Sequence, residues 1–173
     1  MTASKTYRRA PGPHWTRSAD MLVRATSNTI TRPANVTAYT AGDIINDNAT
    51  AGGGSSADFE LSVPDTGKVE RIEVKSSATT TRATLRVWLY SAAPTIGAGD
   101  NQAFVASVDT LIGRAELECD IVGSDKTIGF VDVTIPYEIS SGGTLYALLE
   151  TVDGFTPASG ETFDIAAMIM PRA

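Results

Sequence analysis

The residues able to do chemistry are few. The 173-residue chain has one histidine, His14, and one cysteine, Cys119. A Ser/His/Asp or Cys/His nucleophile would have to recruit His14. That residue lies between Pro13 and Trp15, after Ala10-Pro11-Gly12, in a stretch that suits neither helix nor ladder. Catalysis needs its groups held on rigid elements, so His14 receives no catalytic role. One Cys and one His cannot supply the three or four ligands of a zinc site. Asp43, Asn46, Asp47 and Asn48 cluster without the Asp-x-Asp/Asn-x-Asp/Asn-Gly spacing of a calcium loop and read as a polar turn. Glu116, Glu118 and Asp120 alternate along one run, as Glu70 and Glu73 sit on another, which describes wet strand faces better than a glycosidase pair. Gly52-Gly53-Gly54 is followed by no helix, and no phosphate loop is present. Cys119 is in phase with Leu117 and Ile121 and has acidic neighbours, so it reads as a small core residue, not a reactive thiol. The expectation is a protein that is not an enzyme and uses no cofactor or metal. Trp88 and Tyr90 share the second face of their strand. They suit a subunit contact, the inside of a sheet covered on both sides, or a carbohydrate platform.

What must position these residues follows from composition. Hydrophobic residues make up 42% of the chain, enough for one sizeable core. No run approaches the roughly 18 apolar residues of a membrane span. The basic N-terminus is followed by no apolar segment of a secretory signal, so the expected setting is a reducing cytoplasm, and the triplets Asn35-Val36-Thr37 and Asn48-Ala49-Thr50 are discounted as glycosylation sites. The net charge of −6 is unevenly spread. Residues 1–32 carry Lys5, Arg8, Arg9, Arg17, Arg24 and Arg32 against Asp20 alone. The remainder holds the other 8 basic residues against 19 acids. A basic arm on an acidic body points to an arm that docks on an acidic surface, and argues against nucleic acid as a ligand of the body.

From residue 33 onward, short runs alternate between apolar and polar positions and are separated by Gly, Pro, Asp and Ser turns. Eight strands are expected, near 36–45, 57–63, 68–76, 82–91, 113–122, 127–135, 144–152 and 161–170. Ile72 and Val74 share one face of the third. Ala83, Leu85, Val87 and Leu89 share one face of the fourth. These two runs, around Ser76–Thr81, read as an antiparallel hairpin whose apolar face needs a second sheet to cover it. Pro136 should end its strand. No segment has helical periodicity. The fold expected is all-β: an eight-stranded antiparallel β-sandwich, jelly-roll-like, with an extended N-terminal arm. An immunoglobulin-like strand order stays open. The domains are the arm, 1–32, and the sandwich, 33–173.

Three segments carry a resemblance: Thr31–Asp43 (TRPANVTAYTAGD), Lys75–Thr81 (KSSATTT) and Leu85–Thr95 (LRVWLYSAAPT). Over roughly residues 30–170 the chain resembles structural proteins of tailed bacteriophages, some related to the head decoration (cement) proteins. The resemblance implies a virion component on the outer surface of the capsid, made in the bacterial host cytoplasm. Its partner would be the major capsid protein, whose neighbouring capsomers it bridges and stabilises. A homotrimer suits threefold shell axes and a dimer suits twofold axes; neither nucleic acid nor membrane is an expected partner. The arm residues Arg8, Arg9, Arg17 and Arg24, with Trp15 as an apolar anchor, would form the shell or subunit interface, and Trp88 and Tyr90 a further subunit contact. The alternative is a tail-tip or fibre-associated module that grips host-surface glycan through Trp88 and Tyr90.

Overall fold

The computed structural model describes residues 22–49, 59–79, 81–139 and 143–172. Among them are ten strands: β1 (Val23–Thr26), β2 (Ile30–Thr31), β3 (Ile44–Ile45), β4 (Phe59–Ser62), β5 (Thr66–Ser76), β6 (Thr84–Tyr90), β7 (Leu111–Val122), β8 (Lys126–Glu138), β9 (Thr144–Thr151) and β10 (Thr162–Pro171). Every pairing is antiparallel. The path runs β1-β10-β5-β8-β7-β6-β9-β3, with β2 also on β10 and β4 also on β9. The chain is an all-β, jelly-roll-like protein built from one curled antiparallel sheet.

The curl makes two layers. One, the β8 layer, holds β8, β5 and β10, with β1 and β2 sharing its outer edge. The other, the β7 layer, holds β7, β6 and β9, with β3 and β4 sharing its outer edge. Ten strands thus fill eight lateral positions. Among the described residues the strand ladder passes from one layer to the other at the β7–β8 hairpin, which splays. Cys119–Val122 pair with Lys126–Gly129, after which β7 turns to β6 and β8 to β5. At the opposite side β1 approaches β4, and the Glu60 amide donates to Asn28 Oδ1 at 2.7 Å.

The alternation seen in sequence fills the space between layers. Val69, Ile72 and Val74 of β5, Leu85, Val87 and Leu89 of β6, Leu145, Ala147 and Leu149 of β9, and Phe163, Ile165 and Ile169 of β10 form one continuous core. Each large apolar side chain so removed from water contributes about 1.5–3 kcal/mol before chain entropy is counted. Cys119 lies in this core, and burial pushes its thiol up to about 12, with the Glu161 carboxylate adding to the effect.

Four sequence expectations require correction. The hairpin of residues 68–91 does not form: β5 pairs with β10 and β8, and β6 with β7 and β9. The seven residues Ser77–Ala83 are long enough to change layers, so the two apolar faces meet across the core instead of side by side. The strand near 36–45 shrinks to Ile44–Ile45. Asn35 Oδ1 accepts the Thr37 amide and Asp43 Oδ2 accepts the Thr40 amide, side-chain bonds that compete with a ladder. The arm does not extend to residue 32, because β1 and β2 line the edge of β10. Their signal was faint, since β1 turns only Ala25 inward. Pro136 lies inside β8, opposite Lys68. Its missing N–H is tolerated because β7 pairs β8 only as far as Gly129.

Candidate functional site

Three polar constellations stand out, and each is built from strand ends and the loops between them. The first is buried. Arg32 leaves the end of β2 with its side chain 0% exposed. Its Nη2 donates to Asp100 Oδ2 at 2.9 Å and to Asn35 Oδ1 at 3.3 Å. Nη1 donates to the carbonyls of Asn35 and Ala158 at 2.7 and 3.2 Å, and Nε to the Tyr39 hydroxyl at 2.9 Å. All five guanidinium hydrogens are therefore used. Tyr39 in turn donates to Asp100 Oδ1 at 2.5 Å, and that oxygen also accepts the Asn46 amide. Burial, and then the Asp100 charge, push the Tyr39 hydroxyl far above its ordinary range. Tyr39 stacks on Phe155 with centroids 5.0 Å apart. The network ties together the loops around 33–43, 94–105 and 153–161. It has no open position for a ligand, so what it can do is hold these loops rigid.

The second constellation is also closed. Glu161 is 1% exposed. It accepts hydrogen bonds from the hydroxyls of Ser76 and Thr81 and from the Ala158 amide. Ser76 and Thr81 flank the connection that carries the chain between layers, so Glu161 anchors that crossing.

The third lies on the outer face of the β7 layer and contains Trp88. The indole stacks on Phe104 with centroids 5.0 Å apart and planes 15° apart. Its Nε1–H donates to Glu150 Oε2 at 2.6 Å. Arg86 donates to Glu150 at 3.0 Å and to Glu116 at 2.6 Å, and the Arg114 guanidinium lies 5.1 Å from the ring centroid. Glu116 and Glu150 hold the Arg86 guanidinium above its already high range, Glu116 first. Phe104 comes from the segment 91–110, which crosses this face. It is held there by the Asp43–Ala103 bridge and by bonds from the Phe104 amide to the Gly42 carbonyl and the Ile44 amide to the Gln102 carbonyl.

Tyr90 is 0% exposed. It belongs to neither an open sugar platform nor a free subunit contact; it is an inner residue of a face covered on both sides, because the 91–110 segment supplies a roof. Trp88 sits at the edge of that roof, with one face occupied by Phe104. Of the arm residues, Arg24 is in β1 and pairs with Glu73 at 3.0 Å across β10, so it is committed within its own layer. Arg8, Arg9, Trp15 and Arg17 lie outside the described residues, as does His14. Among the described residues no group of three or more His, Cys, Asp or Glu side chains is placed to hold a metal ion, and no helix is long and apolar enough to cross a membrane. Sequence reasoning missed the Arg32–Tyr39–Asp100 network altogether. The only available hint was that Arg32 directly precedes Pro33 and lies two positions after the apolar Ile30.

No family model matches the chain, and no curated protein matches it. Solved structures are similar in outline. A chain of the cyanophage Pam1 capsid asymmetric unit matches at 13% identity and TM-score 0.36, covering 99% of this chain and 98% of that one. Eiger TNF from S. frugiperda matches at 9% identity and TM-score 0.38, covering 88% and 95%. A marine algae virus of the order Picornavirales matches at 10% identity and TM-score 0.26, covering 99% and 84%. At these values the likenesses are loose and carry no functional argument.

Proposed function

We propose that the protein is a structural component of a virion, a decoration protein that sits on the outer surface of a bacteriophage capsid and bridges neighbouring capsomers. The observation that carries this reading is where the resembling segments fall. Arg32, Tyr39 and Asp43 of the first, Ser76 of the second and Trp88 of the third hold loops against the layers, and Arg86 of the third pairs with Glu116 and Glu150 beside Trp88. What the chain shares with phage structural proteins is thus invested in a rigid body. A cement needs such a body, plus an adhesive element that binds the assembled shell and not its loose subunits, so that binding stabilises the shell by mass action. The basic N-terminal segment is that element. Lys5, Arg8 and Arg9 reach an acidic surface of the major capsid protein, with Arg17 and Trp15 behind them. A homotrimer at threefold positions is the assembly that fits. The covered Tyr90 and the occupied face of Trp88 disfavour the glycan-binding alternative.

The test uses capsid shells that lack the protein. The full chain is expected to bind saturably and to raise the temperature at which shells rupture. A chain without residues 1–21 is expected to keep its β-sheet circular dichroism spectrum and to lose shell binding. Full occupancy by the truncated chain, or no binding by the full one, would overturn the proposal.

A further inference from the structure

The two outer faces of the sandwich are treated differently by the chain. The segment 91–110 crosses the β7 layer, and the side chains still exposed on that layer include Glu116, Glu118 and Asp120. Two copies of that face would repel each other. Among the described residues no segment crosses the outer face of the β8 layer. Phe130 stands there 63% exposed, with the Arg71 guanidinium 5.2 Å from its ring centroid. Charges of both signs surround it, in rows fixed by the ladder. Read from β8 across β5 and β10 to β1, the first row is Asp132, Arg71, Met168, Arg24. The second is Phe130, Glu73, Ala166, Thr26. The third is Ile128, Lys75, Asp164 and ends at β10. Alternation turns these side chains away from the core, which their neighbours Ala25, Ile72, Val74, Ile165 and Ala167 fill.

We propose that this face binds the same face of a second copy, about a twofold axis parallel to the strands between β5 and β10. Such an axis lays each row on itself in reverse, β8 on the other copy's β1 and β5 on its β10. Asp132 then meets the second copy's Arg24, and Lys75 meets its Asp164. Arg71 lies on Met168, Phe130 on Thr26 and Glu73 on Ala166. No two like charges oppose each other in these rows. An axis across the strands through the second row would instead set Arg71 on Lys75, which is destabilising. The groups that meet have bonding capacity left. The Asp132 side chain is 71% exposed and gives Oδ1 to Arg71 at 2.6 Å, which leaves Oδ2 for a second cation. Arg24 is 42% exposed and holds Glu73 through Nη2 alone. Four strands about 4.8 Å apart and about ten residues long present roughly 600 Å². That approaches the roughly 800 Å² per partner of a standard interface, so the dimer is expected to dissociate at micromolar concentration. The contact is isologous and closes at two copies. It does not rest on the virion reading, and a threefold assembly would use other surfaces of the chain.

The experiment is a charge swap in the full chain, read by sedimentation equilibrium across the micromolar range. Asp132→Arg sets two cations against each other at both ends of the first row, and Arg24→Asp sets two acids there. Each variant alone is expected to halve the mass of the assembly while keeping the β-sheet circular dichroism spectrum. An equimolar mixture of the two regains an attractive pair at each end, so the mass is expected to return. Recovery on mixing separates a lost contact from a lost fold. Should either variant fail to fold, Lys75→Asp and Asp164→Lys repeat the test in the third row. A full chain that stays monomeric throughout, an assembly whose mass neither variant alters, or folded variants that do not recover on mixing would each overturn the proposal.

Discussion

Arg32 shows how far a residue's charge can mislead about its place. Counted along the chain it belongs with the cations of the arm. In the fold it is buried, with every N–H bonded. Removing one partner of such a pair leaves the other charge buried and alone, which costs about 3–5 kcal/mol. Arg32→Ala is therefore expected to lower the urea midpoint sharply without changing the denaturant slope, whereas Val36→Ala, on an exposed side chain, should leave it unmoved. Cys119 makes a pH-dependent prediction at the same scale. Its thiol is raised from 9.0 to about 12 in the fold, so the folded state holds a proton that the unfolded chain releases at lower pH. The stabilisation is fully present below pH 9 and fades as pH rises toward 12. Urea midpoints measured between pH 8 and pH 11 should fall, and Cys119→Ala should flatten that decline. Tyr39, Tyr90 and Tyr137, raised for the same physical reason, lose their contributions as pH rises above 10 and add to what remains of the slope.

At the scale of elements, the splayed β7–β8 hairpin carries the two-layer arrangement. Gly129 sits at the fork. A Cβ there would lie 2.3 Å from Leu117 Cδ1 and 2.6 Å from the Glu118 carbonyl oxygen. The obstruction includes backbone, so it cannot be relieved by a rotamer change. Overpacking of this kind costs about 1–3 kcal/mol or more. Gly129→Ala is expected to lower the melting temperature by several degrees, whereas Gly160→Ala, with open space around it, should show only its left-handed backbone cost of about 1 kcal/mol. Most strands were legible because alternation is a local property: β4 to β10 lie close to the expected runs. The failures share a cause. β1, β2 and β3 are edge strands two to four residues long, too short to show a period, and the Asn35–Asp43 stretch has strand-like residues whose side chains cap turns instead.

At the scale of the molecule, one apolar core spans both layers and the curl leaves no separable half. Unfolding is expected to be a single transition, with far-ultraviolet circular dichroism and the fluorescence of Trp88 giving coincident melting curves. Two separated transitions would mean that the layers melt independently. The roof over Trp88 gives that residue a second value, because its emission reports whether the 91–110 segment is seated.

The order of oily and wet side chains along the chain was enough to establish an all-β body, the inward faces of its long strands, and the basic character of the first residues. Those are properties of neighbours in sequence, where a period of two has only one physical meaning. Only the tertiary structure decided that β5 and β6 oppose each other instead of pairing, that Arg32 and Asp100 meet across sixty-eight positions, and that Tyr90 is covered. Each of these depends on which distant segment the curled sheet brings alongside. The free energy of that choice lies in burial and in hydrogen bonds between residues far apart, which no local pattern encodes.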